Sequence, residues 1–299
     1  MAIFSAPAGL QTGQARPGLL MAIGGAEDKI RERVILRAFV EAAGGPDANL
    51  VVMATASELA ETGDRYVSVF ESLHADTVEV LRVRSREDAL QGDASGSGML
   101  DLLEFASGLF ITGGSQLRIS AALGGTALAD TIRRRHAEGM VVAGTSAGAA
   151  VLSEHMIAMG DSGGTPRRRL VQMAQGLGLA PELVIDQHFR QRDRLGRLVT
   201  ALSYNPGPLG IGVDEDTAAM IDGGVLRVIG SGAVTVLDAS TFRYTDSPEV
   251  RRGQALAMLG LKLDFLTSGC RYDLRSRTGL PPLSERPLLQ EEETAEVVR

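Results

Sequence analysis

Residues 140–156, MVVAGTSAGAAVLSEHM, decide the fold. An apolar run, Met140–Ala143, leads at once into Gly144-Thr145-Ser146-Ala147-Gly148 and then into a second apolar segment, Ala149–Met156. Strand, tight turn and helix in that order form the setting of a nucleophile elbow, which lifts a serine hydroxyl above the carboxyl edge of a sheet. So sharp a turn crowds its own flanks, and Gly144, Ala147 and Gly148 supply the small residues it needs. The N–H of Ala147, at the start of the expected helix, would face an oxyanion forming on an attacked carbonyl. The plainer alternative is a glycine-rich turn with Ser146 as a helix cap. The strand-to-helix context favours the nucleophile.

Outward from the elbow, short apolar runs recur at Leu19–Ile23, Leu50–Met53, Val78–Val83 and Gly108–Ile111, each the size of a buried strand. Helical spacing separates them over Lys29–Ala43, with Ile30, Val34 and Ala38 on one face, and again over Tyr66–Leu73 and Leu128–Arg135. Alternating strands and helices predict a three-layer α/β domain, its mostly parallel sheet covered by helices on both faces. Beyond residue 205 the pattern changes to short strands, Gly210–Val213, Ala218–Ile221, Val225–Ile229 and Ala233–Leu237, with turns such as Asp222-Gly223-Gly224. These read as a hairpin-rich extension of the sheet, so one peptide-chain domain is expected over 18–279. Residues 1–17 and the acidic, proline-bearing 280–299 read as flexible ends. The polar stretch 160–169 reads as a loop, and its Arg167-Arg168-Arg169 as a solvated basic turn rather than a ligand contact.

With 44% hydrophobic and 22% charged residues among 299, the chain has the make-up of a globular protein. A formal charge of −7 argues against a general nucleic-acid binder. A single cysteine, Cys270, forms no internal disulfide and suits a reducing compartment. The start of the chain lacks a signal-peptide pattern, and nowhere is there an apolar run long enough to span a membrane, so a cytoplasmic protein is expected.

A serine nucleophile needs a base, and only four histidines exist: His74, His136, His155 and His188. His155 is nine positions past Ser146 on the same expected helix, roughly 13 Å along its axis. His136 closes the charged run Arg133-Arg134-Arg135 and is expected in solvent, and His74 has no polar cluster around it. His188 ends the apolar strand of Val184-Ile185-Asp186-Gln187-His188, where open α/β sheets place their ligands. It is the favoured base, a buried structural histidine being the alternative. Its acidic partner is expected among Asp214, Glu215 and Asp216, at another strand end, with spacing unable to choose. Ser–His–acid order, without a separate oxyanion motif, excludes an α/β-hydrolase.

Arg190, Arg192, Arg194 and Arg197 follow the histidine. Asp193 is expected to cap a helix over Arg194–Leu202, with Arg194 and Arg197 on one face. Such guanidinium forks suit carboxylates, although a solvated helix face fits the charges equally well. Two glycine turns, Gly24-Gly25 and Gly113-Gly114, sit at strand ends and match no phosphate-loop spacing. Gly113-Gly114 is a candidate second oxyanion donor beside Ala147. No metal is expected, since no Cys/His set has ligand spacing.

Taken together, GGAEDK (24–29), TGGSQLRI (112–119), GTSAGA (144–149), DQHFRQRDRLGRL (186–198) and GIGVDEDTA (210–218) resemble the cyanophycinases over about residues 17–275. These are serine-type exopeptidases related in fold to aspartyl dipeptidase and the class I glutamine amidotransferases. The resemblance implies hydrolysis of cyanophycin, a poly-aspartate backbone carrying arginine on each β-carboxyl, to β-Asp-Arg dipeptides. It further implies Ser146 as nucleophile, His188 as base, Glu215 as the orienting acid, and Gln116, Asp186, Gln187, Arg192, Arg194 and Arg197 as substrate-pocket residues. A homodimer without a cofactor is expected. Ser115 departs from the Asp or Asn that family members often carry beside the glutamine. The rival readings are a dipeptidase acting on short Asp-X peptides and a non-catalytic binding protein on the same scaffold.

Overall fold

In the computed structural model, which describes residues 16–92 and 98–283, the first half of the chain alternates strand and helix. It runs β1 (Leu20–Ile23), α1 (Val34–Ala42), β2 (Asn49–Met53), α2 (Thr62–Glu71), β3 (Thr77–Leu81), α3 (Arg86–Gly92), α4 (Met99–Phe105), β4 (Gly108–Ile111), α5 (Gln116–Leu123), α6 (Ala127–Ala137), β5 (Val141–Thr145) and the single turn α7 (Ala147–Ala150). A hairpin of β6 (His155–Gly160) and β7 (Val171–Gln175) follows, then β8 (Leu183–Gln187), α8 (Leu195–Tyr204) and β9 (Leu209–Val213). Next come β10 (Thr217–Asp222), β11 (Val225–Gly230), β12 (Ala233–Asp238), the small pair β13 (Tyr244–Thr245) and β14 (Met258–Leu259), and finally β15 (Lys262–Thr267), β16 (Arg271–Asp273) and β17 (Thr278–Leu280). Of the expected flexible ends, 1–15 and 284–299 lie outside the described residues.

The main sheet has nine strands in the order β17-β16-β11-β10-β1-β5-β4-β2-β3. Five, β1, β5, β4, β2 and β3, are parallel, and β10 joins β1 antiparallel to start the expected hairpin extension. Period-two alternation sorts the strand side chains between two faces. Met21, Ile23 and Phe110 meet Leu36, Phe39, Tyr66 and Phe70 of α1 and α2. Ala22, Val142 and Ile111 meet Leu103, Leu128 and Ile132 of α4 and α6 on the other side. The expected α/β class, with helices on both faces, is therefore present.

A second sheet, in the order β15-β12-β9-β8, takes strands that the sequence assigned to the extension of the first. Gly210–Val213 and Ala233–Leu237 pair with each other here, and only Ala218–Ile221 and Val225–Ile229 extend the main sheet. Its inward residues Ile185, Ile211, Val213, Val234 and Val236 join the core of the main sheet, while α8 covers its outer face through Leu198 and Leu202.

Three helical expectations are corrected. Residues 29–33 are not helical, because the Asp28 carboxylate accepts the N–H groups of Ile30, Arg31 and Arg33 and Arg33 turns to φ 51°. Ile30 is consequently exposed rather than part of an apolar face. The segment after the elbow is helical only to Ala150, and His155 opens a strand. That run, Ala149–Leu152, is apolar on every side and wholly buried, so it lacks the polar face that an amphipathic helix would present. Asp193 does not cap α8: it lies at φ 47°, and Arg194 occupies the capping position without a side-chain bond.

Candidate active site

β5 delivers Ser146 at φ 54° and ψ −116°, a conformation costing a non-glycine residue about 1–3 kcal/mol. The glycines around it are sterically required. A Cβ on Gly144 would stand 2.1 Å from the carbonyl oxygen of Gly148, and one on Gly148 2.2 Å from that of Ile111. Gly113 packs against the serine, since a Cβ there would fall 3.1 Å from Ser146 Cβ. Gly114 holds φ 140° with its α-carbon against the Ala56 carbonyl. Among the described residues, the N–H groups of Gly113, Gly114 and Ala147 have no acceptor.

β8 and β9 run parallel and end side by side, which brings His188 and Glu215 to the serine. Ser146 Oγ is 2.9 Å from His188 Nε2, and His188 Nδ1 is 2.6 Å from Glu215 Oε1. A carboxylate only accepts, so Nδ1 carries the proton and Nε2 is free to accept from the serine hydroxyl. The neighbouring acids face elsewhere. Asp214 accepts the N–H groups of Arg190 at 3.1 Å and Ala233 at 3.2 Å. Asp216 accepts the N–H of Asp28 and the hydroxyl of Ser231, each at 2.9 Å. Of the three acids left open by spacing, Glu215 is the one that reaches the imidazole.

Burial pushes the His188 imidazole below the ordinary histidine range; the Glu215 hydrogen bond opposes this, and the Arg192 and Arg194 charges add to it. An imidazole must be neutral to take a proton. Labelling of the serine by an acylating reagent is therefore expected to persist below the ordinary histidine pKa of about 6.5 and to fail only at lower pH. Arg192→Gln removes a depressing charge and should move that acid limb to higher pH. A limb that stays put in the variant would contradict the electrostatic account.

The remaining expected residues separate by role. Asp186 is buried and takes a bidentate contact from Arg197, with Nε to Oδ2 at 2.6 Å, as well as Arg194 Nη1 at 3.3 Å. Arg194 Nη1 also donates to Gln187 Oε1 at 2.9 Å, and burial lowers this guanidinium to about 10. Asp186 thus holds both buried arginines, and Gln187 holds Arg194. Arg192 is exposed, and no hydrogen bond or ion pair joins its guanidinium to a described residue. Gln116 Nε2 donates to the carbonyls of Ile157 at 3.1 Å and Ala158 at 2.9 Å, fastening β6 beside the elbow. His136, expected in solvent, is instead buried with Nδ1 3.2 Å from the Met140 carbonyl oxygen, because the chain reverses directly into β5. In the loop, Arg167 and Arg169 are exposed, as expected of a solvated basic turn, while Arg167 and the half-buried Arg168 also donate to the carbonyls of Gly253 and Val250.

The turn after β1 carries a part of the site that its glycine pattern alone did not disclose. His188 donates its N–H to the Gly24 carbonyl at 2.8 Å. Gly25, at φ 96°, lies so near the imidazole that a Cβ would be 2.4 Å from His188 Cε1. Two glycines after a strand, followed by an acid and no phosphate-loop spacing, were the available signal. Among the described residues, no group of three or more Cys, His, Asp or Glu side chains is arranged to hold a metal ion, and no helix is long and apolar enough to cross a membrane.

An elbow serine, an imidazole within hydrogen-bond reach and a carboxylate orienting that imidazole define a serine-type hydrolase. The comparisons narrow the class. The chain belongs to peptidase family S51, whose pattern it matches over residues 19–229. It is a serine-type peptidase. It is 45% identical over 275 residues to a cyanophycinase of Nostoc sp. strain PCC 7120, covering 91% of each chain. It is 43% identical over 269 residues to a cyanophycinase of Geminocystis herdmanii, covering 89% of this chain and 97% of that one. The crystal structure of a peptidase from an acI-B1 actinobacterium superposes with a TM-score of 0.64 at 21% identity, over 87% of this chain and 98% of the other. That last likeness concerns the fold.

Proposed function

We propose that this peptidase hydrolyses cyanophycin to β-Asp-Arg dipeptides through an acyl-enzyme on Ser146. The observation carrying the reading is the hydrogen-bonded chain Ser146–His188–Glu215 in a protein 45% identical to a cyanophycinase over nearly its whole length. Ser146 Oγ attacks the backbone carbonyl of the polymer while His188 Nε2 accepts its proton. The carbonyl oxygen, now negative, is met by the N–H groups of Ala147 and of Gly113 or Gly114. The C–N bond breaks as His188 returns the proton to the departing amine, leaving an ester. Water, deprotonated by the same imidazole, then cleaves that ester and restores the serine. Glu215 keeps the imidazole oriented and stabilises its cationic form.

Each side group of the polymer exposes a carboxylate and a guanidinium. The exposed Arg192 guanidinium suits the former, and Gln116, Asp186, Gln187, Arg194 and Arg197 complete the pocket, the buried arginines by shaping its floor. The reading includes a single peptidase domain over 18–279, a homodimer and a cytoplasmic setting, the last supported by the lone free Cys270. The test sets insoluble cyanophycin beside soluble Asp-Leu: the protein clears the polymer and releases little aspartate from the dipeptide. Release from Asp-Leu without clearing would move the assignment to an aspartyl dipeptidase.

A further inference from the structure

The turn Gly24–Lys29 bonds to His188 and to Asp216, the neighbour of Glu215, and follows directly on the strand residue that holds Ser146, yet none of its side chains takes part in the hydrolysis just described. Ile23, just before it, accepts the N–H of Ser146 at 2.9 Å, and Gly24 accepts that of His188 at 2.8 Å. Gly25 accepts the N–H of Asp216, next to Glu215, at 2.9 Å, and Asp28 returns its own N–H to Asp216 Oδ1 at 2.9 Å. Ser146, His188 and Asp216 stand at φ 54°, 47° and 49°, with Ala26 at 50° in the middle of the turn. Non-glycine residues persist in such conformations only where their surroundings over-determine them.

Glu27 is the anchor of the turn. Its side chain is 1% exposed. Oε2 accepts the hydroxyl of Thr145, the residue before the serine, at 2.6 Å, and Oε1 accepts the Tyr66 hydroxyl at 2.5 Å. The Lys29 ammonium stands 2.9 Å from Oε1 and lies over the Tyr66 ring at 5.2 Å. A buried carboxylate persists only when paired and hydrogen-bonded, and this one has a cation and two hydroxyls. One of those hydroxyls belongs to the elbow itself.

We propose that Glu27 is a positioning residue for the nucleophile: through Thr145 it braces the strained elbow, and through its own place in the turn it fixes the elbow relative to His188 and Glu215. Tyr66 and Lys29 hold the carboxylate in place. The proposal rests on Ser146 being the nucleophile. A misplacement of about 1 Å at a reacting group is enough to cost about 100-fold in rate.

The experiment measures two things on the full chain: the rate at which a fluorophosphonate labels Ser146, and kcat and KM on cyanophycin. Thr145→Val removes the hydroxyl at nearly constant volume and is expected to slow labelling and kcat by about 10- to 100-fold, with KM changed by less than about twofold. Thr145→Ser restores the hydroxyl and should recover both rates to within about threefold of the wild type. Glu27→Ala should reproduce the loss; if that variant does not fold, Thr145→Val decides. A folded Thr145→Val protein labelled at the wild-type rate would overturn the brace. So would equal losses in the Val and Ser variants, which would indicate packing, or a raised KM at unchanged kcat. Failure of the wild type itself to label, by contrast, removes Ser146 as nucleophile and the brace with it.

Discussion

Ser146→Ala is expected to lower kcat by about 10⁶-fold, because members of a catalytic triad act as a unit and its loss leaves only binding and oxyanion stabilisation. The substitution deletes one oxygen. It leaves the N–H of residue 146 on the Ile23 carbonyl and Gly144 and Gly148 in their contacts, so the elbow has no reason to unfold. Rates on polymer, reaction with a serine-directed reagent and thermal unfolding check the three parts of this statement. Turnover within about tenfold of the wild type would remove Ser146 from the nucleophile's role. A wild-type protein that binds polymer but neither turns it over nor reacts with the reagent would instead be a binding protein on this scaffold.

Asp186→Ala should be the most destabilising change at the site, by about 3–5 kcal/mol, because breaking a buried ion pair from one side strands the other charge. Here two charges are stranded. Arg197 and Arg194 have side chains only 5% and 9% exposed, and both donate to Asp186. Arg194 would keep Gln187, whereas Arg197 would keep, among the described residues, only the Gly160 carbonyl at 3.2 Å. Urea denaturation reads the loss, and Asp186→Asn, which retains an acceptor, should fall between alanine and the wild type. A cost under about 1 kcal/mol would mean that the arginines swing into solvent when released, and that Asp186 does not hold them in the interior.

These two residues also mark what the sequence made legible. Around Ser146 the local chemistry is decisive, because a strand of small and branched residues running into GTSAGA has few other uses. His188 followed by elimination among four histidines. The choice among Asp214, Glu215 and Asp216 depended on which side chain turns toward β8, and alternation along a strand end does not disclose that. Asp186 and Gln187 were expected in the substrate pocket through the resemblance of DQHFRQRDRLGRL to the cyanophycinases; only the packing of α8 shows that they face Arg194 and Arg197.

Other departures share a cause in contacts distant along the chain. The start of α1 is delayed by the bonds of Asp28, whose own N–H is held by Asp216, 188 positions away. The second sheet was missed because β9 and β12 are as apolar and as short as β10 and β11, so nothing local distinguishes which sheet each joins. His136 follows three arginines and looked exposed, yet the tight reversal into β5 carries it inward. Glycines 24 and 25 are the instructive case: a Cβ on Gly24 would stand 1.9 Å from the Asp214 carbonyl oxygen, and Gly25 makes room for the His188 imidazole.

The most direct test of the account is digestion of insoluble cyanophycin by the purified protein, with products identified by mass spectrometry beside a Ser146→Ala control. Clearing of the polymer with β-Asp-Arg as the product, and neither in the control, is the predicted result. A folded, serine-reactive protein that leaves the polymer intact, or that releases free arginine in place of the dipeptide, would contradict it.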